Sequence, residues 1–526
     1  MSGSASLSVP VPGRWFALSA LSTVALLAAA VFPGCGADVS PDGSAAARST
    51  SGALESPASY LVAFAGGAIP ANAATSIAAA GGSVVARYAN LGVVLARSSQ
   101  PAFAATLRGM DGVDAVGAVS ATHSRLDPAP AAHRPGHPHG PGPGGADPLA
   151  FRQWDMDQIH APAAHAIASG KKSVLVGVLD SGIDVTHPDL VGQVDVAASA
   201  SCVGGVANAD PAGWSNDVLG HGTHVSGTIA ALPNRIGIVG VAPGVRLAAV
   251  KVAVDDVNDP NFGLVLPDAF VCAIDWSIAH DVDVMNASLT IDPFTAPIDD
   301  IFCSDQPDRE AVVKIVRRAV LEAGRHKTSL VATVGNFFTD VTKLTGTTPG
   351  SHCKVLPVQL PRVIGVSSVN YDRKLAFYSN YGLGAVDVTG PGGDSMVPDP
   401  LITDTAASGQ VLSSMPPDSL LYQGAADYDG QVQDCSSGTC ATYGYLQGTS
   451  QAAPHVTGVA ALILSRFGKL SPDALLARLS LSATPLPCPP SPYDPGDTGQ
   501  PATCSGPAFY NNFYGAGEVD ALAAVR

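Results

Sequence analysis

Charge is scarce in this chain. Only 14% of its 526 residues are Asp, Glu, Lys or Arg, against about a quarter in an ordinary globular protein. Basic residues are the scarcer sign, 28 against 44 acidic ones, for a net charge of −16. That balance argues against a general nucleic-acid binder, which would carry a basic stripe. Scarce charge does not mean disorder, because 46% of the residues are hydrophobic and disordered chains pair low hydrophobicity with high charge. CxxC pairs are missing, so the nine cysteines do not spell a zinc site. Gly (56) and Pro (42) follow no three-residue period, which excludes a collagen-like rod and assigns them to linkers and turns. Beyond residue 32 no apolar run is long enough to cross a bilayer.

One apolar run is present, at the N-terminus. Residues 15–32 (WFALSALSTVALLAAAVF) follow Arg14 and precede PGCG. The pattern predicts an export signal over residues 1–35, with a basic segment ahead of an apolar one. The run also approaches the length of a membrane span, so an uncleaved anchor is a second reading. Cys35 stands where a bacterial lipoprotein carries its lipidated Cys, although Phe32 and Pro33 depart from the usual residues there. The alternative is plain cleavage near Ala28–Ala30. Export leads either to a secreted protein or to one tethered at the cell envelope through Cys35. In that oxidising setting the other eight cysteines are expected to pair. Cys435–Cys440 and Cys488–Cys504 are favoured, because each would staple a Pro/Gly/Ser-rich loop.

At roughly 100–200 residues per domain, the length implies more than one unit. Residues 36–58 are small, polar and unperiodic, a flexible tether. Residues 59–124 read as β-α-β-β-α-β, with two strands around Asn90-Leu91-Gly92, which predicts a small α+β unit of ferredoxin-like order. Residues 125–148 are too rich in Pro and Gly for regular structure. Their His133, His137 and His139 read as part of a solvated linker rather than a metal site. Residues 149–526 alternate apolar strands with helical patterns and predict an α/β domain.

Three separated segments of that domain carry chemistry. In Lys172-Ser-Val-Leu-Val-Gly-Val-Leu-Asp180-Ser-Gly182, a buried strand ends in a carboxylate and a turn; open α/β sheets gather their sites at such strand ends. In Gly220-His221-Gly-Thr-His224, a Gly-flanked His opens a helix of small residues. The pair His221 and His224 does not read as a metal site, because the Glu of HExxH is absent and no third ligand is near. In Gly448-Thr-Ser450-Gln-Ala-Ala-Pro454-His, Ser450 begins a buried helix, where backbone N–H groups favour developing negative charge. Ala452 rules out the GxSxG elbow of the α/β-hydrolases. Attack on a peptide carbonyl needs a hydroxyl, a base and a carboxylate that orients the base. These segments supply them in the order Asp, His, Ser.

The segments VLDSGID, GHGTHVSGTIAA and GTSQAAPHVTGVAALIL resemble the three signatures of the subtilisin-like serine proteases, the subtilases. The resemblance runs from about Gln153 to the end, through HPDL, GVAP, NASL, TVGN and YGAGEVDA. It implies a three-layer, doubly wound, mostly parallel α/β sheet. It makes Asp180 the orienting carboxylate, His221 the general base, Ser450 the nucleophile and Asn336 the side-chain donor of the oxyanion hole. Ser288, Leu289 and Thr290 are then one edge of the specificity pocket, with Thr290 where the family usually has Gly, and Thr333, Val334 and Gly335 are the opposite wall. Phe337 and Phe338 follow, which predicts a hydrophobic entrance and a preference for uncharged side chains. Catalysis would need no cofactor. A structural calcium would be held by Asp189 of HPDL with Leu232, Asn234, Ile236 and Ile238, and Gln153 as a further ligand; an unmetallated surface loop is the alternative. Residues 59–124 resemble the inhibitory propeptide of many subtilases, so the chain would be its own intramolecular inhibitor and 125–148 its processing zone. The expected activity is that of an exported, self-processed serine endopeptidase, monomeric, acting on protein or peptide substrates. Two alternatives are a catalytically silent surface binder and a maturation protease of narrow specificity. The stretch from Ser288 to Asn336, residues 391–447 and residues 484–513 are longer than in a compact subtilisin.

Overall fold

The computed structural model describes residues 57–119, 124–126, 147–256, 259–291, 302–303, 307–345, 348–397, 409–422, 430–438, 440–497 and 499–526. The export signal, nearly all of the tether, Cys35, and the linker residues His133, His137 and His139 lie outside these.

The N-terminal unit has the order read from its sequence: β1 (Ala58–Phe64), α1 (Ala73–Ala79), β2 (Gly82–Tyr88), β3 (Val93–Ser98), α2 (Phe103–Arg108) and β4 (Val113–Ala118). Its four strands lie antiparallel in the order β2-β3-β1-β4. Side chains alternate across a sheet, and that alternation divides the burial. Val62, Phe64, Val94, Ala96 and Val116 pack under Ile77, Phe103 and Leu107 of the two helices. Leu61, Ala63, Val93, Leu95 and Ala115 face the other way and share one core with the following domain.

That domain is built on seven strands: β5 (Leu175–Asp180), β6 (Ala200–Ser201), β7 (Arg246–Lys251), β8 (Val284–Ala287), β9 (Ser329–Thr333), β10 (Val363–Val369) and β11 (Val388–Pro391). They pair in parallel in the order β11-β10-β9-β8-β5-β7-β6. The principal helices are α3 (His221–Ala230), α4 (Pro267–Ala279), α5 (Pro307–Arg325) and α6 (Thr449–Phe467). Leu175 and Leu179 of β5 pack with Phe270 and Ile274 of α4 and with Val312 and Ile315 of α5. Val176 and Val178 pack with Val225 and Ile229 of α3 and Val456 and Val459 of α6 on the opposite face. Helices on both faces make three layers and explain why the strands read as unbroken apolar runs. The chain leaves β5 first toward β7 and then returns to β8 on its other side, so the strand order reverses at β5, where ligand sites of such sheets form.

Part of the 391–447 insertion forms a three-stranded antiparallel sheet, β12 (Val411–Ser414), β13 (Gln431–Asp434) and β14 (Ala441–Leu446), in the order β12-β14-β13. Cys435–Cys440 and Cys488–Cys504 are bonded as expected. A further disulfide joins Cys202 to Cys272 across 70 residues, and Cys353 is disulfide-bonded as well. Among the described residues, no helix is long and apolar enough to cross a membrane.

Candidate active site

Asp180 is the last residue of β5 and His221 the first of α3, and both are completely buried. His221 Nδ1 donates to Asp180 Oδ1 at 2.7 Å. That bond fixes the tautomer in which Nε2 carries the lone pair, and Nε2 has no hydrogen-bond partner among the described residues. The approach of α3 to the turn after β5 depends on Gly222: a Cβ there would stand 2.1 Å from Gly182 O. Asp217 locks the same junction and went unnoticed in the sequence. Its carboxylate accepts from Gly220 N, Thr223 N, Thr223 Oγ1 and Ser181 Oγ. Ser181 N in turn donates to Asp180 Oδ1 at 2.8 Å. The available signal was an acidic residue just ahead of a helix start.

Ser450 sits in the first turn of α6. Its Oγ donates to Ser288 O at 3.1 Å, not to His221. Its carbonyl accepts from Ser288 Oγ at 2.7 Å. Pro454, four residues on, explains why that carbonyl is available: proline has no N–H to close the helical bond. Asn336 lies beyond the end of β9, and its Oδ1 accepts from Thr449 N and Thr449 Oγ1, both at 2.8 Å. Its amide is therefore pinned with Oδ1 toward the start of α6.

Ser288, Leu289 and Thr290 follow β8, Thr333 ends β9, and Val334 and Gly335 come next; all six are buried. The two segments face each other, because Thr290 Cγ2 is 3.9 Å from where a Gly335 Cβ would be. Asn380 braces the second segment, a role the sequence did not suggest: Nδ2 donates to Val334 O, and Oδ1 accepts from Phe337 N and Thr339 N. The two phenylalanines expected at the entrance sit differently. Phe337 is exposed, whereas Phe338 packs against Tyr381 and Tyr493 at centroid distances of 5.9 and 6.5 Å.

Burial alone would push His221 down, but the charge and hydrogen bond of Asp180, with Asp217 behind, raise it above its ordinary range. Burial, reinforced by the nearby His221, lowers His224 to about 3. His224 is thus a neutral core residue whose Nε2–H donates to Val411 O and Gly444 O.

The residues expected to hold calcium gather, but they do not fit a cation. Asp189 Oδ1 accepts from Asn234 Nδ2 at 3.0 Å, and Oδ2 from Tyr443 Oη at 2.8 Å and Ile238 N at 3.4 Å. Asn234 Oδ1 accepts from Ile236 N, and Leu232 O accepts from Asn234 N. Gln153 is closed on Val239, accepting from its N–H and donating to its carbonyl. Calcium needs six to eight oxygens with open lone pairs; here hydrogen-bond donors converge on the carboxylate instead. The plug is Tyr443 of β14, whose ring lies over Gly237 and leaves no room for a Cβ.

Residues 171–517 match the subtilase family. Subtilisin of Bacillus pumilus is 31% identical over 333 residues, which cover 63% of this chain and 92% of that protein. Subtilisin amylosacchariticus of Bacillus subtilis subsp. amylosacchariticus is also 31% identical over 333 residues, 63% of this chain but 66% of its own length. The crystal structure of an epidermin leader peptide processing serine protease from Staphylococcus aureus shares the fold, with a TM-score of 0.63 at 20% identity over 89% of this chain and 98% of the other. The fold and these likenesses define a class first, the serine-type endopeptidases built on a parallel α/β sheet. Within that class, the chain belongs to the subtilase family.

Proposed function

We propose that this chain is an exported serine endopeptidase that cleaves proteins or peptides through Asp180, His221 and Ser450 and is made as a self-processed precursor. The observation that carries the reading is the buried Asp180–His221 bond, with the second imidazole nitrogen left without a partner among the described residues. In the reaction, Ser450 Oγ swings from Ser288 O toward His221 and attacks the substrate carbonyl. Its proton passes to His221 Nε2 as the Oγ–C bond forms. Asp180 stabilises the resulting imidazolium, and the Ser450 backbone N–H and Asn336 Nδ2 receive the oxyanion. His221 then hands the proton to the departing amine as the C–N bond breaks, and water, activated the same way, releases the acyl group.

Ser288, Leu289 and Thr290 on one side and Thr333, Val334 and Gly335 on the other would bind the substrate, which favours uncharged side chains. The N-terminal unit would act as the intramolecular inhibitor. Supporting this role are its shared core with α4 and α5, the bonds from Tyr88 Oη to Gly205 O and from Arg318 Nη1 to Phe64 O, both 2.7 Å, and the Lys314–Asp114 and Arg108–Asp308 ion pairs. The apolar run at residues 15–32 supports export, with either release after cleavage or a lipid tether at Cys35. Ser450→Ala in the full chain is the test. The variant should remain an uncleaved precursor without peptidase activity, and autonomous processing by the purified variant would overturn the reading.

A further inference from the structure

Gln451 directly follows the candidate nucleophile and is completely buried. Its backbone is fully engaged: the N–H donates to Gly448 O at 3.0 Å, and the carbonyl accepts from His455 Nδ1 at 2.8 Å. Its side chain is the opposite case. Neither Oε1 nor Nε2 has a hydrogen-bond partner among the described residues. A buried carboxamide left wholly unpaired is rare, because both its donors and its acceptor have given up water.

Its placement says what it lacks. Oε1 lies 2.9 Å from the point a Gly448 Cβ would occupy, and Asn336 Nδ2 lies 3.4 Å from the same point. Gly448 has φ 152°, and any side chain there would fill this space. Two carboxamides therefore flank one glycine beside Ser450. That of Asn336 is clamped through Oδ1 by Thr449, while no hydrogen bond holds that of Gln451 in either sense about its terminal bond.

We propose that Gln451 is a further catalytic residue, which turns Nε2 toward the acyl carbon and donates a hydrogen bond to the oxyanion alongside Asn336. The bond exists only once the carbonyl oxygen has moved into the pocket and gained charge, so it acts on the transition state more than on the bound substrate. This inference rests on Ser450 being the nucleophile.

The test uses the processed enzyme from the full chain, with concentrations set by active-site titration. Gln451→Leu removes every polar atom and branches one carbon nearer the backbone. Its kcat on a peptide anilide should fall ~10- to 100-fold, somewhat less than the loss for a clamped oxyanion donor. KM should stay nearly unchanged, and the Ki of a matching peptide aldehyde, whose hemiacetal places oxygen in the same pocket, should rise by the same factor. Gln451→Met, unbranched and adaptable in a tight core, gives the same readout if the leucine variant folds poorly. A kcat per titrated site and an aldehyde Ki both equal to wild type would overturn the proposal and leave Gln451 a packing residue. A Ser450→Ala enzyme that still hydrolyses the anilide would instead overturn the nucleophile assignment beneath it.

Discussion

Two buried carboxylates of the peptidase domain are built from the same materials and finished differently. Asp189 is surrounded by donors: Asn234, Tyr443 and Ile238 engage both of its oxygens. Asp180 spends Oδ1 on His221 and Ser181, and among the described residues its Oδ2 has no partner; neither has His221 Nε2 nor the carboxamide of Gln451. A saturated polar cluster is structure, because every group in it already has what burial requires. An unsaturated one is tolerated where a substrate and a moving proton complete it. The difference separates two motifs that are equally recognisable in the sequence and that the family resemblance would treat alike, as functional sites.

The largest expected effect lies on the unsaturated side. Asp180→Asn should lower kcat by about 10⁴, because the amide favours the wrong imidazole tautomer. It should also move the acid limb of the pH profile. As the proposed general base His221 must be neutral, and the Asp180 charge raises its pKa, so wild-type activity should be lost as pH falls through a midpoint above the ordinary ~6.5. Without that charge, the residual activity should persist to lower pH; an unmoved limb would detach the ionisation from this pair.

Asn336→Leu comes next. It should cost roughly 10²–10³ in kcat with little change in KM, the expected cost of one oxyanion donor. A KM effect of that size would make Asn336 a ground-state binding residue instead.

On the saturated side the loss should appear in stability. Tyr443→Phe removes one donor from buried Asp189 and should destabilise the fold by about 1–3 kcal/mol, measured by chemical denaturation, while kcat/KM per titrated site stays the same. The smallest effect is a predicted absence: a chelator should leave the wild-type melting temperature unmoved, because Tyr443, Asn234 and Ile238 already occupy the lone pairs of Asp189. A chelator-dependent fall would show that the loop opens to a cation and would erase the contrast between the two clusters.

What the sequence disclosed and withheld follows from range. The candidate residues Asp180, His221 and Ser450 stood out because each sits in a short signature whose glycines and small residues permit a close approach, as Gly222 does against Gly182. The α/β class was legible in the unbroken apolar strands, and the three layers through the family resemblance. Tyr443 was not, since its bond to Asp189 spans 254 positions and nothing near either residue announces it. The Cys202–Cys272 pair was hidden for the same reason, whereas Cys435–Cys440 declared itself by closing a short loop. The packing of Phe338 was not announced either: two residues after Asn336, its ring joins the aromatic cluster of Tyr381, Tyr493 and Phe513.

A fluorophosphonate probe with peptide mapping of the processed enzyme asks whether the unsaturated cluster is the acyl-transfer site. One phosphonyl adduct should form, on Ser450, readily in the wild type and not at all when His221 is replaced by Ala. An enzyme that resists the probe while still cleaving peptides, or an adduct mapped to any other serine, would contradict it.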